Sequence, residues 1–466
     1  MFLHLYRKEI LDTIGSSRFM LVFLMCCALV ILSLFIGAAD QNRAQKEHDT
    51  SVAQMAETAK QQVSYQALGM WGMFKVYRPP SPLFVFARGV EEASGNNSVV
   101  SIFQEPKLQD SRFSVDPIHA QLSTLDFVFV VKVIVALLAL MLTFDLINGE
   151  QERGTLKLVL SNPVPRTTLI LAKIAGAWSA LVVPLLIPAL IGVLGILVAG
   201  GVEWGADHWM RIITMVFATV LYVSVFVSFG VFVSCIVSRP SNAFLVLVLI
   251  WLAVVWVMPG VALYAATEIS DVAAAYEIDR KKGEIDREWY RESAAQQAEW
   301  LRRNPGHDSV PVDVQGEING DLQKEAQKKK SRIDEAHAAD VSYRDSLVMR
   351  ISRVSPAAAF DNIMLGLAMT GVDRQQAFLS EVKEFRNAFQ RYVGQKMMQE
   401  RKYQLDGGAV SYHSGLDLSG MPRITFEDAP FGRDVSALWP DFAVLILLLF
   451  LFTFGSVWAF LHYDVH

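Results

Sequence analysis

The run Asp126-Phe127-Val128-Phe129-Val130-Val131-Lys132-Val133-Ile134-Val135-Ala136-Leu137-Leu138-Ala139-Leu140-Met141-Leu142-Thr143-Phe144-Asp145-Leu146-Ile147 decides the fold. Its interior holds one charge, Lys132, and its apolar residues follow one another without the alternation of a half-buried strand, so it reads as a helix surrounded by hydrocarbon. A bilayer core about 30 Å thick takes about 20 apolar residues of helix, which 126–147 supplies. Five further runs of this kind lie at 19–38, 168–199, 209–237, 243–265 and 438–461. The runs 168–199 and 209–237 are long enough to tilt or to reach past the headgroups. Pro184 and Pro188 remove helix hydrogen bonds in the first of these two, where a kink is expected. Composition agrees with lipid as the solvent: the 466 residues are 52% hydrophobic and 19% charged, with a mean hydropathy of +0.31. The expected fold is an all-α polytopic membrane protein, with six transmembrane helices and a large, mainly helical extracytoplasmic domain.

Charge and cysteine usage narrow the function classes. A net charge of −5 gives no basic surplus for nucleic acid. Cys26, Cys27 and Cys235 all lie inside apolar runs, where they act as small hydrophobes rather than as a disulfide or metal framework. A phosphate-binding Gly-x-x-x-x-Gly-Lys loop ending in Ser or Thr is absent, as is a His-Glu-x-x-His zinc pattern. His462 and His466 stand one helical turn apart in the 462–466 tail and read as tail residues rather than ligands. The expectation is therefore no catalytic residue, no metal and no cofactor.

The run 19–38 follows Arg7, Lys8 and Arg18 and ends at Gly37-Ala38-Ala39, as a secretory signal does. A signal's apolar region is about 7–15 residues, and this one is nearer 20, so it reads as an uncleaved anchor. In 1–18, Leu3, Tyr6, Ile10 and Ile14 recur at helical spacing with Arg7, Lys8 and Asp12 off that stripe. This predicts a helix lying in the membrane interface, the alternative being a disordered polar leader. Lysine and arginine then set the orientation. Arg7, Lys8, Arg18, Arg153, Lys157, Arg166, Lys173 and Arg239 border one set of connections, whereas 200–208 has neither residue type. Both termini and 148–167 are thus expected in the cytoplasm, and 39–125 and 266–437 outside. Lys132 and Asp145, near the two ends of one span, fit either an ion or substrate path or plain snorkelling and pairing.

The outside segments read as mainly helical. Asp40 to Gln66 is free of Pro and Gly, so the first span continues outward as one helix. A run from Thr267 to Arg303, weakened by Gly283, stops at Asn304-Pro305-Gly306. Further helices fit 317–352 and 374–404, with Pro356 and Gly371 between them, while 95–115 and 408–433 look like loops and short strands. Lys328, Lys329, Lys330 and Arg332 beside Glu325, Asp334 and Glu335 make a solvated helix face. Met70-Trp71-Gly72-Met73-Phe74 and Phe360 to Met369 would receive an amphiphile or lie on the membrane, or else pack inside the outside domain, which is the preferred reading.

The connection after 126–147 carries the most information: Asn148-Gly149-Glu150-Gln151-Glu152-Arg153-Gly154-Thr155-Leu156-Lys157-Leu158-Val159-Leu160-Ser161-Asn162-Pro163-Val164-Pro165-Arg166. It resembles the ABC-2 type of ABC transporter permease, whose members carry an acidic stretch with Gly-Thr-Leu, then Pro-Val-x-Arg running into a lysine-bearing span, here that of Lys173. The pattern departs at Pro165, where a small polar residue is usual. Tyr77-Arg78-Pro79-Pro80-Ser81-Pro82-Leu83 and Leu438-Trp439-Pro440-Asp441-Phe442 resemble the subgroup with a large extracytoplasmic domain. The resemblance covers the membrane half and the ends of the outside half, and does not extend to the middle of the outside domain, about 280–350. It implies a short helix projecting into a cleft of an ATPase, with Glu150, Glu152, Arg153, Gly154, Thr155, Leu156, Pro163 and Arg166 as coupling residues.

Three functions from different classes follow. In the first, this chain is the permease of an ABC exporter in a bacterial inner membrane, working with two copies of a separate ATPase subunit, a second identical or related permease, and membrane lipid. In the second, the same complex moves no solute and works mechanically on a periplasmic partner. The third, a membrane receptor without an ATPase, leaves the coupling sequence unexplained.

Overall fold

The computed structural model describes residues 2–62, 64–70, 74–91, 95–101, 106–109, 125–161, 163–199, 204–405 and 416–463. It is 79% helical with almost no strand, the all-α polytopic class expected. Among the described residues, six helices are long and apolar enough to cross a membrane. In chain order they are Ser17–Lys60, Phe127–Glu152, Arg166–Ala199, Ala206–Ile236, a composite of Pro240–Leu252, Ala253–Val257 and Met258–Ser270, and Phe431–Leu461. They are called the first to sixth spans below. The first span runs unbroken well past its apolar part, and the third runs through both Pro184 and Pro188. The chain forms two compact units, Met1–Pro259 with Arg353–His466, and Gly260–Ser352.

In the larger unit the fourth span is the central helix. Tyr222, Val223, Val225, Phe226, Val227 and Val231 are all buried. Small and hydroxylated residues bind it to its neighbours, as interhelical contacts in lipid favour. Trp178 of the third span donates to Ser224 Oγ (2.7 Å), and Thr453 of the sixth donates to Ser228 Oγ (3.1 Å). On the fifth span, by contrast, Leu245, Leu249, Ile250, Leu252, Trp256 and Val257 are exposed, leaving an apolar face.

Away from the termini, the helix Pro356–Leu367 packs on the fourth and sixth spans and shares their apolar core. Ser355 caps it, accepting from Ala358 N and donating to Val254 O (2.8 Å). Phe360 stacks on Tyr222, with ring centroids 4.4 Å apart. Asp361 accepts from Lys132 (2.7 Å), which stands in a π-helical stretch, Val130–Val135. The wider π turn alters the local backbone bonding, and Tyr222 donates to Lys132 O (2.8 Å). Asn362 and Arg353 both bond Asp441, and the fully buried Arg211 bonds Asp207, Asp434 and Ala429 O. The preferred expectation for Phe360 to Met369 is packing inside the outside domain. The stretch packs both on the spans, where Asp361 and Asn362 find partners, and on residues 81–87 of the first outside segment, with Ser81 Oγ donating to Ala368 O (2.5 Å). Lys132 and Asp145 are both paired, Asp145 with Arg18 (2.7 Å).

Beside this end lies a small mixed core. Strands β1 (Phe74–Tyr77), β2 (Asn97–Val100) and β3 (Leu108–Gln109) form an antiparallel sheet in that order, with Phe74 opposite Val100 and Ser98 opposite Leu108. Val76 and Val100 pack with Phe378, Val382, Phe385 and Phe389 of the helix Val372–Leu405. Leu416 N donates to Lys60 O (2.8 Å), tying the end of the first span to this core. Arg374 joins Glu91 to Asp428, and burial pushes the Glu91 carboxyl up while Arg374 opposes that shift. Residues 97–100 and 108–109 bear out the expected short strands, whereas the described residues 416–430 hold none. Residues 102–105, 110–115 and 408–415, and Trp71, Gly72 and Met73, lie outside the described residues.

The smaller unit contains a helical hairpin, Ala275–Arg303 and Val312–Ser352, turned just after Asn304 as the Asn-Pro-Gly stop predicts. Lys282 pairs with Asp334, Lys330 with Asp286, and Ser293 donates to Asn319 (2.5 Å), a register running antiparallel. The segment expected as one outside region, 266–437, is thus divided at Ser352, because 353–437 packs with the spans and the sheet.

Candidate coupling site between the second and third spans

The site lies at the end of the larger unit that carries the N-terminal helix Phe2–Ile14 and Tyr463. The second span ends in Asn148–Glu152, Arg153 caps it, and Gly154 turns the chain at φ 74° into the short helix Thr155–Leu160. A positive φ suits glycine because no Cβ meets the backbone. No atom lies within 4 Å of the place a Cβ would take, so the constraint is conformational rather than one of space. Leu156 anchors the short helix, fully buried with Ile147, Leu169, Ile170, Val231 and Phe460. Glu152, Arg153, Lys157 and Leu158 stay exposed.

Lys173 of the third span is the electrostatic centre. Only 1% of its surface is exposed, and its ammonium donates to Glu150 (2.7 Å) and to Glu9 (3.3 Å). Burial of a charge is tolerable only with such partners. Glu9 reaches Lys173 because the N-terminal helix lies against the third span, where Gly176 leaves room: a Cβ there would come within 2.8 Å of Glu9 Cβ. Tyr6 and Ser179 share a hydrogen bond of 2.8 Å along the same contact. The face turned to the bundle is Leu5, Tyr6, Glu9, Ile10 and Thr13, while Leu3, Leu11 and Ile14 remain exposed. The apolar stripe expected from Leu3, Tyr6, Ile10 and Ile14 is thus split between protein and surroundings.

Other expected site residues make contacts within the chain. Arg166 donates to Leu461 O (3.0 Å) and Tyr463 O (3.1 Å), holding the end of the sixth span. Thr155 Oγ1 donates to Glu150 O (3.2 Å), and Arg153 Nε to Gly149 O (2.9 Å). Pro163 lines a cavity considered below, and Asn162 lies outside the described residues. Tyr463 donates to Gln151, and burial pushes its phenol above the ordinary value. His462 is described, and His466 lies outside the described residues.

Sequence reasoning missed Glu9, Gln151 and Tyr463. The one signal available was the position of Glu9 beside Tyr6 and Ile10 of the apolar stripe at helical spacing. What the arrangement can do chemically is transmit motion. An exposed, partly charged knob stands on a short helix whose root is tied through Glu150 and Lys173 to the third span and the N-terminal helix together.

Two comparisons bear on this arrangement. A family model described as ABC-2 family transporter protein matches residues 3–464. Over 108 residues the chain is 37% identical to a protein named "Probable ABC transporter permease protein NosY" from Stutzerimonas stutzeri. That stretch is 23% of this chain and 39% of the relative's length.

Proposed function

The chain belongs to the ABC-2 family of transporter proteins, and from that premise we propose that it is the permease subunit of an ABC exporter whose ATP is hydrolysed by a separate ATPase subunit. Two permeases, identical or related, work with two ATPase subunits in a bacterial inner membrane, with both termini and 148–167 in the cytoplasm. The observation that carries this reading is the short helix Thr155–Leu160, anchored by Leu156 yet leaving Glu152, Arg153, Lys157 and Leu158 exposed between two spans. The ATPase grips that exposed edge, and Glu150 passes its displacement to Lys173 and so to the third span. The exposed residues and Glu150 therefore have separable roles, recruitment and transmission.

The test is co-purification of the ATPase with Glu152→Lys/Lys157→Glu, alongside Glu150→Gln, with membrane insertion as the control. The charge-reversed variant is expected to lose about tenfold or more in ATPase recruitment, about 1.4 kcal/mol of association. Glu150→Gln keeps recruitment and loses permease-dependent stimulation of ATP turnover. Unchanged recruitment and turnover in both, with normal insertion, would falsify the coupling role.

A second reading, mechanical work on a periplasmic partner without solute movement, is favoured by the first span. It is one unbroken helix of 44 residues, about 66 Å at 1.5 Å per residue, from the coupling end to the small mixed core. ATP-dependent solute flux in sealed vesicles separates the two.

A further inference from the structure

Beside Lys173 lies a cavity of about 410 Å³, lined by Leu5, Lys8, Glu9, Glu150, Val159, Pro163, Val164, Leu169 and Lys173. Its lining is neutral, with the carboxylates of Glu9 and Glu150 against the ammonium groups of Lys173 and Lys8, but its hydrogen bonds are incomplete. Glu9 and Glu150 share the buried ammonium of Lys173, while the half-exposed Lys8 lies 3.7 Å from Glu9 and 3.6 Å from Asp12 outside the cavity. Two carboxylate oxygens are buried without a hydrogen bond: Glu150 Oε2, and Glu9 Oε1, which is 3.2 Å from Lys173 Nζ but out of line for one. The Glu9 side chain is 7% exposed. A buried acceptor without a donor costs about 1–3 kcal/mol, and more when charged, so the cavity calls for a cation with N–H groups.

The remaining wall is apolar, from Leu5, Val159, Val164 and Leu169, and the half-exposed Lys8 contributes a cation at the rim. In a multi-pass membrane protein, the junction between the ends of spans and an N-terminal helix with exposed Leu3, Leu11 and Ile14 lies at headgroup depth. We propose that this cavity is a site for a phospholipid with a primary ammonium headgroup, of the phosphatidylethanolamine type. The ammonium donates to Glu9 and Glu150, Lys8 meets the phosphate, and the glycerol and first methylenes lie on the apolar wall. The site distinguishes ethanolamine from choline because a quaternary ammonium has no N–H to give. Lipid bound there ties the N-terminal helix to the connection 148–166. The inference rests on the membrane reading alone and not on the coupling role, and its test uses the permease without any ATPase.

The purified full chain, delipidated in detergent, is titrated with phosphatidylethanolamine, its N-methyl and N,N-dimethyl forms and phosphatidylcholine of identical acyl chains. Binding is followed by native mass spectrometry and thermal unfolding. Affinity is expected to fall stepwise as N–H donors are lost, about tenfold or more from first to last. Val164→Trp, which fills the cavity without altering charge, is expected to abolish the preference, and Glu9→Gln to weaken it. Equal binding of all four lipids overturns the proposal, as does a preference that survives Val164→Trp. Stabilisation by ethanolamine or potassium alone, equal to that of the lipid, overturns the lipid assignment in favour of a small cation.

Discussion

Gly154 separates backbone geometry from space at a single residue. Its φ of 74° is left-handed, and nothing lies within 4 Å of the place a Cβ would occupy. A side chain there is costly only through conformation, about 1–2 kcal/mol for an ordinary L-residue. Asparagine adopts this region more readily than alanine although it is larger. Hydrogen exchange of the amides over 148–161 is therefore expected to quicken in the order Gly154, Gly154→Asn, Gly154→Ala, Gly154→Val. An order that followed side-chain volume, with asparagine worse than alanine, would show that space and not φ is limiting. The sequence marks this glycine, and it marks Lys173 as a lysine inside an apolar run. It does not mark Lys173's second partner, because Glu9 lies 164 residues away and reaches it only once the N-terminal helix packs at Gly176. The sequence offers Glu150 as a coupling candidate by position, but does not mark it as the part-buried partner of Lys173.

At the scale of elements, legibility follows the range of the forces involved. The spans and the hairpin arise from local apolar runs and from stops such as Asn304-Pro305-Gly306, which fixes the hairpin's turn, whereas the starts are less legible: the hairpin begins at Ala275 rather than Thr267 and the sixth span at Phe431 rather than 438. The helix Pro356–Leu367 has the same apolar look, yet its place depends on Lys132 finding Asp361 across 229 residues of chain. Periodicity carries no record of such a pair. Lys132, a charge near one end of an otherwise apolar run, is the only hint. The pair is partly buried, with side chains 23% and 28% exposed, so its two members are expected to couple. Lys132→Met and Asp361→Asn each leave a charge or dipole without its partner near the bundle. The double variant leaves no unpaired charge, and neighbouring groups in contact typically couple by about 0.5–3 kcal/mol. In thermal unfolding of the detergent-solubilised chain, each single variant is expected to melt lower than the parent, and the double variant higher than the lower of the two. Strict additivity of the two losses would mean that Pro356–Leu367 is held by apolar packing alone.

For the whole molecule the open quantity is direction. Eight lysines and arginines border the end with the N-terminal helix, but the structure does not leave them equally free. Lys173 is buried between carboxylates, Arg166 is bonded to carbonyls, and Arg18 is paired with Asp145. Arg7, Lys8, Arg153, Lys157 and Arg239 remain at least partly accessible at that end. Acidic neighbours count little in this rule, so the proposed orientation, with that end in the cytoplasm, keeps its basis. In that orientation 39–125 and 266–437 are expected outside. Thr58 and Ser309 are exposed in those segments, and Ser161 is exposed on the opposite connection. With Cys26, Cys27 and Cys235 replaced by alanine, single cysteines at these three positions report the topology in intact cells. A membrane-impermeant maleimide is expected to label Thr58→Cys and Ser309→Cys directly, and Ser161→Cys only after permeabilisation. The reverse pattern would invert the molecule and move the candidate coupling site to the side without ATP, which would remove the exporter reading together with its mechanical alternative.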